Sequence, residues 1–146
     1  MKNCILFSLL CLLLACQAKS SDSKNDTATT VTTELPGDFL EFYERFHANS
    51  DFQLSRIVFP LEGLPANADS TDYVSENFKW QKEDWQIHKK LAEDNPEFTR
   101  ELYPLGKYTV VEKITHVKQG FAMQRRFYKQ SDGWYLIYYA GMNRTD

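Results

Sequence analysis

Cysteine is absent after residue 16. The bulk of the chain therefore has no thiol for a disulfide, a catalytic nucleophile or a metal site, and its fold must be held by core packing. Metal-ligand spacing is missing as well. The three histidines, His47, His88 and His116, are scattered, with no HxH or HExxH arrangement, so no metal and no cofactor is expected. Glycine is sparse, at six residues, and forms neither a phosphate-cradling loop nor a Gly-x-Ser-x-Gly elbow. Positive charge is not in excess: 17 Lys and Arg face 20 Asp and Glu, a net of −3, which excludes the basic footprint of a nucleic-acid binder. The one long apolar run, Ile5 to Ala15, falls short of the about 20 residues that a spanning helix needs. The rest of the chain shows no repeat, no heptad array and no low-complexity tract inside a domain.

What is present at the N-terminus has a distinct pattern. Lys2 precedes the apolar run, and Leu13-Leu14-Ala15-Cys16 closes it in the form of a bacterial lipobox, where a signal peptidase cuts before the cysteine and the cysteine is acylated. Residues 1–15 are thus expected to be a signal peptide, which removes Cys4 and Cys11 and leaves Cys16 as the lipidated end. Two or three acyl chains such as palmitate anchor a protein stably where one does not. Gln17, rather than Asp, resembles the sorting position of outer-membrane lipoproteins, and the lack of an acidic pair after Cys16 favours the periplasmic face over the cell surface. Residues 17 to 35 are mostly Ser, Thr, Lys, Asp, Asn and Ala, too polar to bury surface, and read as a tether. A coil of that length spans about 25 Å.

Residues 36–146 then form one domain, which holds nearly all of the ten Phe, eight Tyr and three Trp. Phe39, Phe42, Tyr43 and Phe46 fall at i, i+3, i+4 and i+7, predicting a helix over 38–48 opened by a capping box of Asp38 and Glu41. Ser50-x-x-Gln53 repeats the box and predicts a short second helix to Arg56. Ile57 to Leu61 is β-rich, and Pro60 confines it to an edge, an end or a bulge. A strand is expected around Tyr73 to Trp80 and a third helix over Glu83 to Glu93, where Trp85, His88, Leu91 and Ala92 share a side. Lys107 to Lys118, Gly120 to Lys129 and Trp134 to Met142 read as three long strands, antiparallel because their links are short. Helices first and a curved antiparallel sheet afterwards make the domain α+β.

Two runs carry a resemblance: Phe39-Leu40-Glu41-Phe42-Tyr43 followed by Ser50 to Leu61, and the ending Phe127-Tyr128-Lys129-Gln130-Ser131-Asp132-Gly133-Trp134-Tyr135-Leu136. They resemble a family of Bacteroidetes lipoproteins of unknown function, whose domains look like members of the nuclear transport factor 2-like superfamily with its cystatin-like cone. The resemblance implies N-terminal helices on a strongly bent sheet, with a pocket at the cone's mouth. That superfamily includes isomerases, dehydratases, ligand binders and interaction modules, so it implies no reaction. No set of catalytic residues comes with it.

Alternation places Phe121, Met123, Arg125 and Phe127 on one strand face, and an arginine among apolar neighbours needs a partner. Arg125 either grips an anionic ligand by its planar fork or has a structural role, pairing with a buried Glu or snorkelling from a half-covered sheet. The structural role is the expected one, with Glu112, which shares a face with Val110, Ile114 and His116, as the partner in view. His116 or His88 beside a carboxylate has the makings of a general base, although a satisfied histidine is the expected role of each. Trp134, Tyr135, Tyr138 and Tyr139 line a pocket or face a partner, because both faces of that strand carry aromatics and the uncovered one calls for a ligand or a second subunit. The candidate pocket is thus Arg125, His116, Glu112, Tyr138 and Trp134, with Cys16 for lipid. The expected function is a non-catalytic envelope module that binds a small molecule or an envelope protein. The alternative is a small isomerase- or dehydratase-like enzyme using a His or carboxylate base.

Overall fold

Aromatics at 39, 42, 43 and 46 reach one side of the chain only if it is helical, and they seed the core. In the structure, a computed structural model that describes residues 34–68 and 77–145, they line the buried side of α1 (Gly37–Ala48) together with His47. The Phe39, Phe42 and Phe46 rings lie 5.5, 5.7 and 5.5 Å from Phe127, and Phe39 meets Trp134 edge-on at 5.0 Å. Leu35 packs against this cluster, so contact with the core begins just ahead of the helix. The leader and most of the expected tether lie outside the described residues.

Neither helix is capped as its capping box predicts. Pro36 precedes α1 with no side-chain cap, which places Asp38 inside the first turn; there its carboxylate meets Lys129 Nζ at 2.6 Å and the favourable end of the helix dipole. The second helix, α2 (Ser50–Ser55), is capped one residue early by Asn49, whose side chain accepts from the Phe52 amide at 2.8 Å. Gln53, freed from the N-terminus, turns inward and is fully buried.

A six-stranded sheet wraps the helices: β1 (Ile57–Leu64), β2 (Lys79–Trp80), β3 (Phe98–Pro104), β4 (Thr109–His116), β5 (Phe121–Gln130) and β6 (Gly133–Arg144), in the order β2-β1-β6-β5-β4-β3. The three long C-terminal strands are antiparallel neighbours. In contrast, β1 runs parallel to β6, as it can because the whole remaining sheet separates them in sequence. Pro60 sits where the β1–β6 pairing is interrupted between Ile57 and Glu62. Gly63 allows β1 to approach β6, since a Cβ there would collide with the Tyr139 carbonyl.

Two segments depart from expectation. No helix forms over Glu83 to Glu93; residues 81–97 cross the sheet as an irregular strap. Gln53 holds the strap: its Nε2 donates to the His88 carbonyl at 2.8 Å, and its Oε1 accepts from the His88 amide at 2.8 Å and from Trp85 Nε1 at 3.2 Å. Those bonds, with burial of Trp85, override the helix propensity of the segment, as tertiary contacts routinely do. After the strap comes β3, an unforeseen edge strand. Its alternation of half-buried Phe98, Arg100, Leu102 and Pro104 with exposed residues is masked in sequence by the arginine. Of the strand expected at 73–80, residues 77–80 are described, and among them only Lys79–Trp80 is strand.

Candidate functional site

Cross-strand register carries Leu102, Glu112, Arg125, Tyr139 and Gly63 onto one line across five strands, and residues directly opposite share a face. The line places a carboxylate and a guanidinium at the centre of the inner face, beneath α1. Glu112 has no exposed surface and Arg125 only 4 %. Ions so deeply withdrawn from water persist only when paired and hydrogen-bonded.

Pairing comes from three directions. Arg125 Nη1 donates to Glu112 Oε2 at 2.7 Å, and the Tyr43 hydroxyl of α1 donates to Glu112 Oε1. Arg125 Nη1 also lies 3.2 Å from His47 Nε2, while His47 Nδ1 lies 2.9 Å from the Tyr43 carbonyl. A carbonyl can only accept, so the His47 proton sits on Nδ1 and Nε2 accepts from the arginine. From the strap, His88 Nδ1 accepts from Arg125 Nε at 3.2 Å. On the outer side of the cluster, Arg100 Nη1 approaches the Tyr43 hydroxyl at 3.4 Å.

Electrostatics follow from this packing. Burial, with the Arg125 cation second, holds His47 below the usual histidine range; burial, then Arg125 and His47, pushes His88 down to about 3. Both rings are therefore neutral acceptors at physiological pH. Burial and the adjacent Glu112 carboxylate raise the Tyr43 phenol, and burial raises that of Tyr139. Among the described residues no group of three His, Cys, Asp or Glu is arranged for a metal ion. His47, His88 and Glu112 converge on the Arg125 guanidinium.

Above Arg125 the strap and the sheet leave a cleft of about 460 Å³. His88 to Ala92 form one wall; Phe98, Ile114, Met123, Arg125 and Tyr139 form the other. A second cleft of about 280 Å³ adjoins it, sharing Phe98 and Met142 and reaching Phe121 and His116.

The candidate residues are thus dispersed. Glu112 and Arg125 meet at the centre. His116 lies at the far end, against Phe98 at 4.9 Å, with Nδ1 accepting from the Lys118 amide, and has no part in the Glu112 cluster. Tyr138 is on the opposite face, under Arg126 at 5.1 Å. The cause is a bulge: Phe127 pairs with Leu136 but Arg126 with Tyr138, so Ile137 is extra and reverses the alternation, bringing Tyr139 to the inner face in place of Tyr138. Trp134 is core, 2 % exposed, and its indole borders a separate surface groove with Arg45, Phe52 and Arg56. Cys16 lies outside the described residues. Sequence reasoning missed Tyr43, His47 and Gln53 as site residues, and did not bring His88 to Arg125. His47 was within reach, since it follows Tyr43 by four residues on the aromatic helix face; Gln53 carries no such signal.

No protein-family model matches the chain, and no curated protein matches it. Among solved structures, a cystatin-like protein from Bacteroides caccae matches with a TM-score of 0.56 and 20% identity, over 74% of this chain and 78% of that one. An NTF2-like protein from Bacteroides fragilis matches with a TM-score of 0.48 and 17% identity, over 73% of this chain and 47% of its own length. The first likeness shows the fold: the domain is a cystatin-like α+β cone, helices packed inside a curved, mostly antiparallel sheet.

Proposed function

We propose that this chain is a lipid-anchored protein of the cell envelope, at the periplasmic face of an outer membrane, whose cone binds a small molecule without transforming it. The observation that carries the reading is the cleft over Arg125, whose mixed walls of apolar and polar side chains enclose one buried, oriented guanidinium at the floor, an arrangement suited to orienting a small molecule. Catalysis is disfavoured by the state of the candidate bases. Glu112 is engaged by Tyr43 and Arg125, and His88, with its pKa near 3, takes up no proton at neutral pH. The lipid anchor rests on the lipobox at Cys16.

Mass spectrometry of the protein purified from the envelope of a diderm bacterial host tests both parts. Under denaturing conditions the expected mass is that of the chain from Cys16 onward plus its acyl groups; an unmodified mass removes the anchor. Under native conditions a small molecule is expected to remain bound and to be lost on denaturation. A native mass equal to the denatured one counts against the ligand site.

A further inference from the structure

Resting on the reading of this cleft as a ligand site, we propose that its occupant is an elongated amphipathic monoanion, with a carboxylate head at Arg125 and an apolar tail running over Phe98 and Met142 toward Phe121. Charge is the first argument. The cleft is lined by Lys89, Lys90 and Arg125 and by no carboxylate, in a chain whose acidic residues outnumber its basic ones. Lys90 is engaged by Glu44 at 2.6 Å, which leaves the exposed Lys89 at the rim and Arg125 at the floor to face a ligand. Cations segregated on low-dielectric walls attract an anion of the opposite sign.

Unused donors are the second argument. Arg125 spends Nε on His88 and Nη1 on Glu112 and His47, while Nη2 has no acceptor among the described residues. The Tyr139 hydroxyl, on the same wall, has none either. A carboxylate offers lone pairs to both, and guanidinium is the side chain best matched to that planar group. Glu112 limits the charge. Behind the guanidinium and wholly buried, it already neutralises the arginine, so the pair tolerates one further negative charge better than the two or more of a phosphate.

The tail follows from the second cleft, which contains no Lys, Arg, Asp or Glu and joins the first through Phe98 and Met142. From Arg125 to Phe121 the path along β5 covers four residues, about 14 Å at ~3.4 Å each. That is the length of a medium-chain alkyl group. A compact polar anion would leave the second cleft empty, and a neutral lipid would leave Nη2 without an acceptor.

Met123 and Met142 are the only methionines after Met1, and both line the cleft, so their methyl resonances report on it directly. Using a Cys16→Ser chain, which has nothing to acylate at that position, decanoate, decanol and propionate are titrated against methyl-labelled protein. Decanoate is expected to shift both methyls saturably, with decanol and propionate each binding at least tenfold more weakly. Lys89→Glu, an exposed change that does not threaten the fold, is expected to weaken decanoate severalfold and leave decanol unchanged. Decanol binding as tightly as decanoate, or indifference of decanoate to Lys89→Glu, overturns the anionic head. Propionate as tight as decanoate overturns the tail. In each of these cases the ligand site itself stands. Silence of both methyls to all three compounds removes the ligand-binding reading with the inference.

Discussion

Arg125 holds its charge in the middle of the domain because four side chains from three parts of the chain converge there. Glu112 supplies the counter-charge, Tyr43 caps the other carboxylate oxygen, and His47 and His88 accept as neutral rings. Removing one member of such a cluster is costlier than never having had it, because the remaining ion stays buried. Arg125→Met should therefore lower stability by about 3–5 kcal/mol, the usual loss on breaking a buried pair. Replacing both ions, as Glu112→Leu with Arg125→Met, should recover much of that loss. Urea midpoints of the three proteins decide it; a double variant as weak as the single one would show that the ions stabilise the cone beyond their mutual compensation. The pairing was legible in sequence as the favoured outcome, since period-two alternation put both residues among apolar neighbours, where an unpaired ion is costly. His88 was not, because its reach to Arg125 depends on where the strap crosses the sheet.

At the level of elements, the sheet's inner face is written by β4 and β5 and edited by β6. Opposite β5, Ile137 is the extra residue of a bulge, and the strand reads inward at Trp134 and Leu136 and again at Tyr139. Deleting Ile137 should consequently leave the pairing intact, with Leu136 against Phe127, Tyr138 against Arg126 and Tyr139 against Arg125. The deletion protein is expected to fold, with a reduced melting temperature from lost local twist. Deleting Val111 from the regularly paired β4 should instead turn part of that strand inside out and abolish folding, because a one-residue slip exchanges the faces. Circular dichroism of the two deletions is the measurement, and an unfolded Ile137 deletion would mean the bulge itself is required. The same bulge explains why strict alternation from Trp134 points to Tyr138 and not Tyr139: alternation carries no register of its own. The helix expected over the strap fails for a related reason, since Trp85 and His88 lie three apart both on a helix face and in a segment clamped by Gln53.

Across the whole molecule, two neutral histidines packed inside a cone make its stability depend on acid. His88 protonates near 6.5 in the unfolded chain and near 3 in the folded one, with Arg125 and His47 around it. Between those values the unfolded state binds the extra proton. Its contribution is complete above pH 6.5 and falls by roughly 1.4 kcal/mol per pH unit down to about pH 3, and the lowered His47 acts in the same direction. Urea unfolding between pH 4 and 8 should show stability dropping with acid, and His88→Gln should flatten the slope; equal slopes would place His88 outside this linkage. The sequence by itself determined the class of the fold, the aromatic helix face, the three antiparallel strands and the need for Arg125 to find a partner. Each is a local matter of periodicity, link length or the cost of burying a charge. Tertiary structure alone decided which histidines reach that arginine, that β1 would lie parallel to β6, and that Gln53 would suspend a strap over a cleft. Those outcomes depend on contacts between segments 30 to 80 residues apart, and no local pattern encodes the register in which distant segments meet.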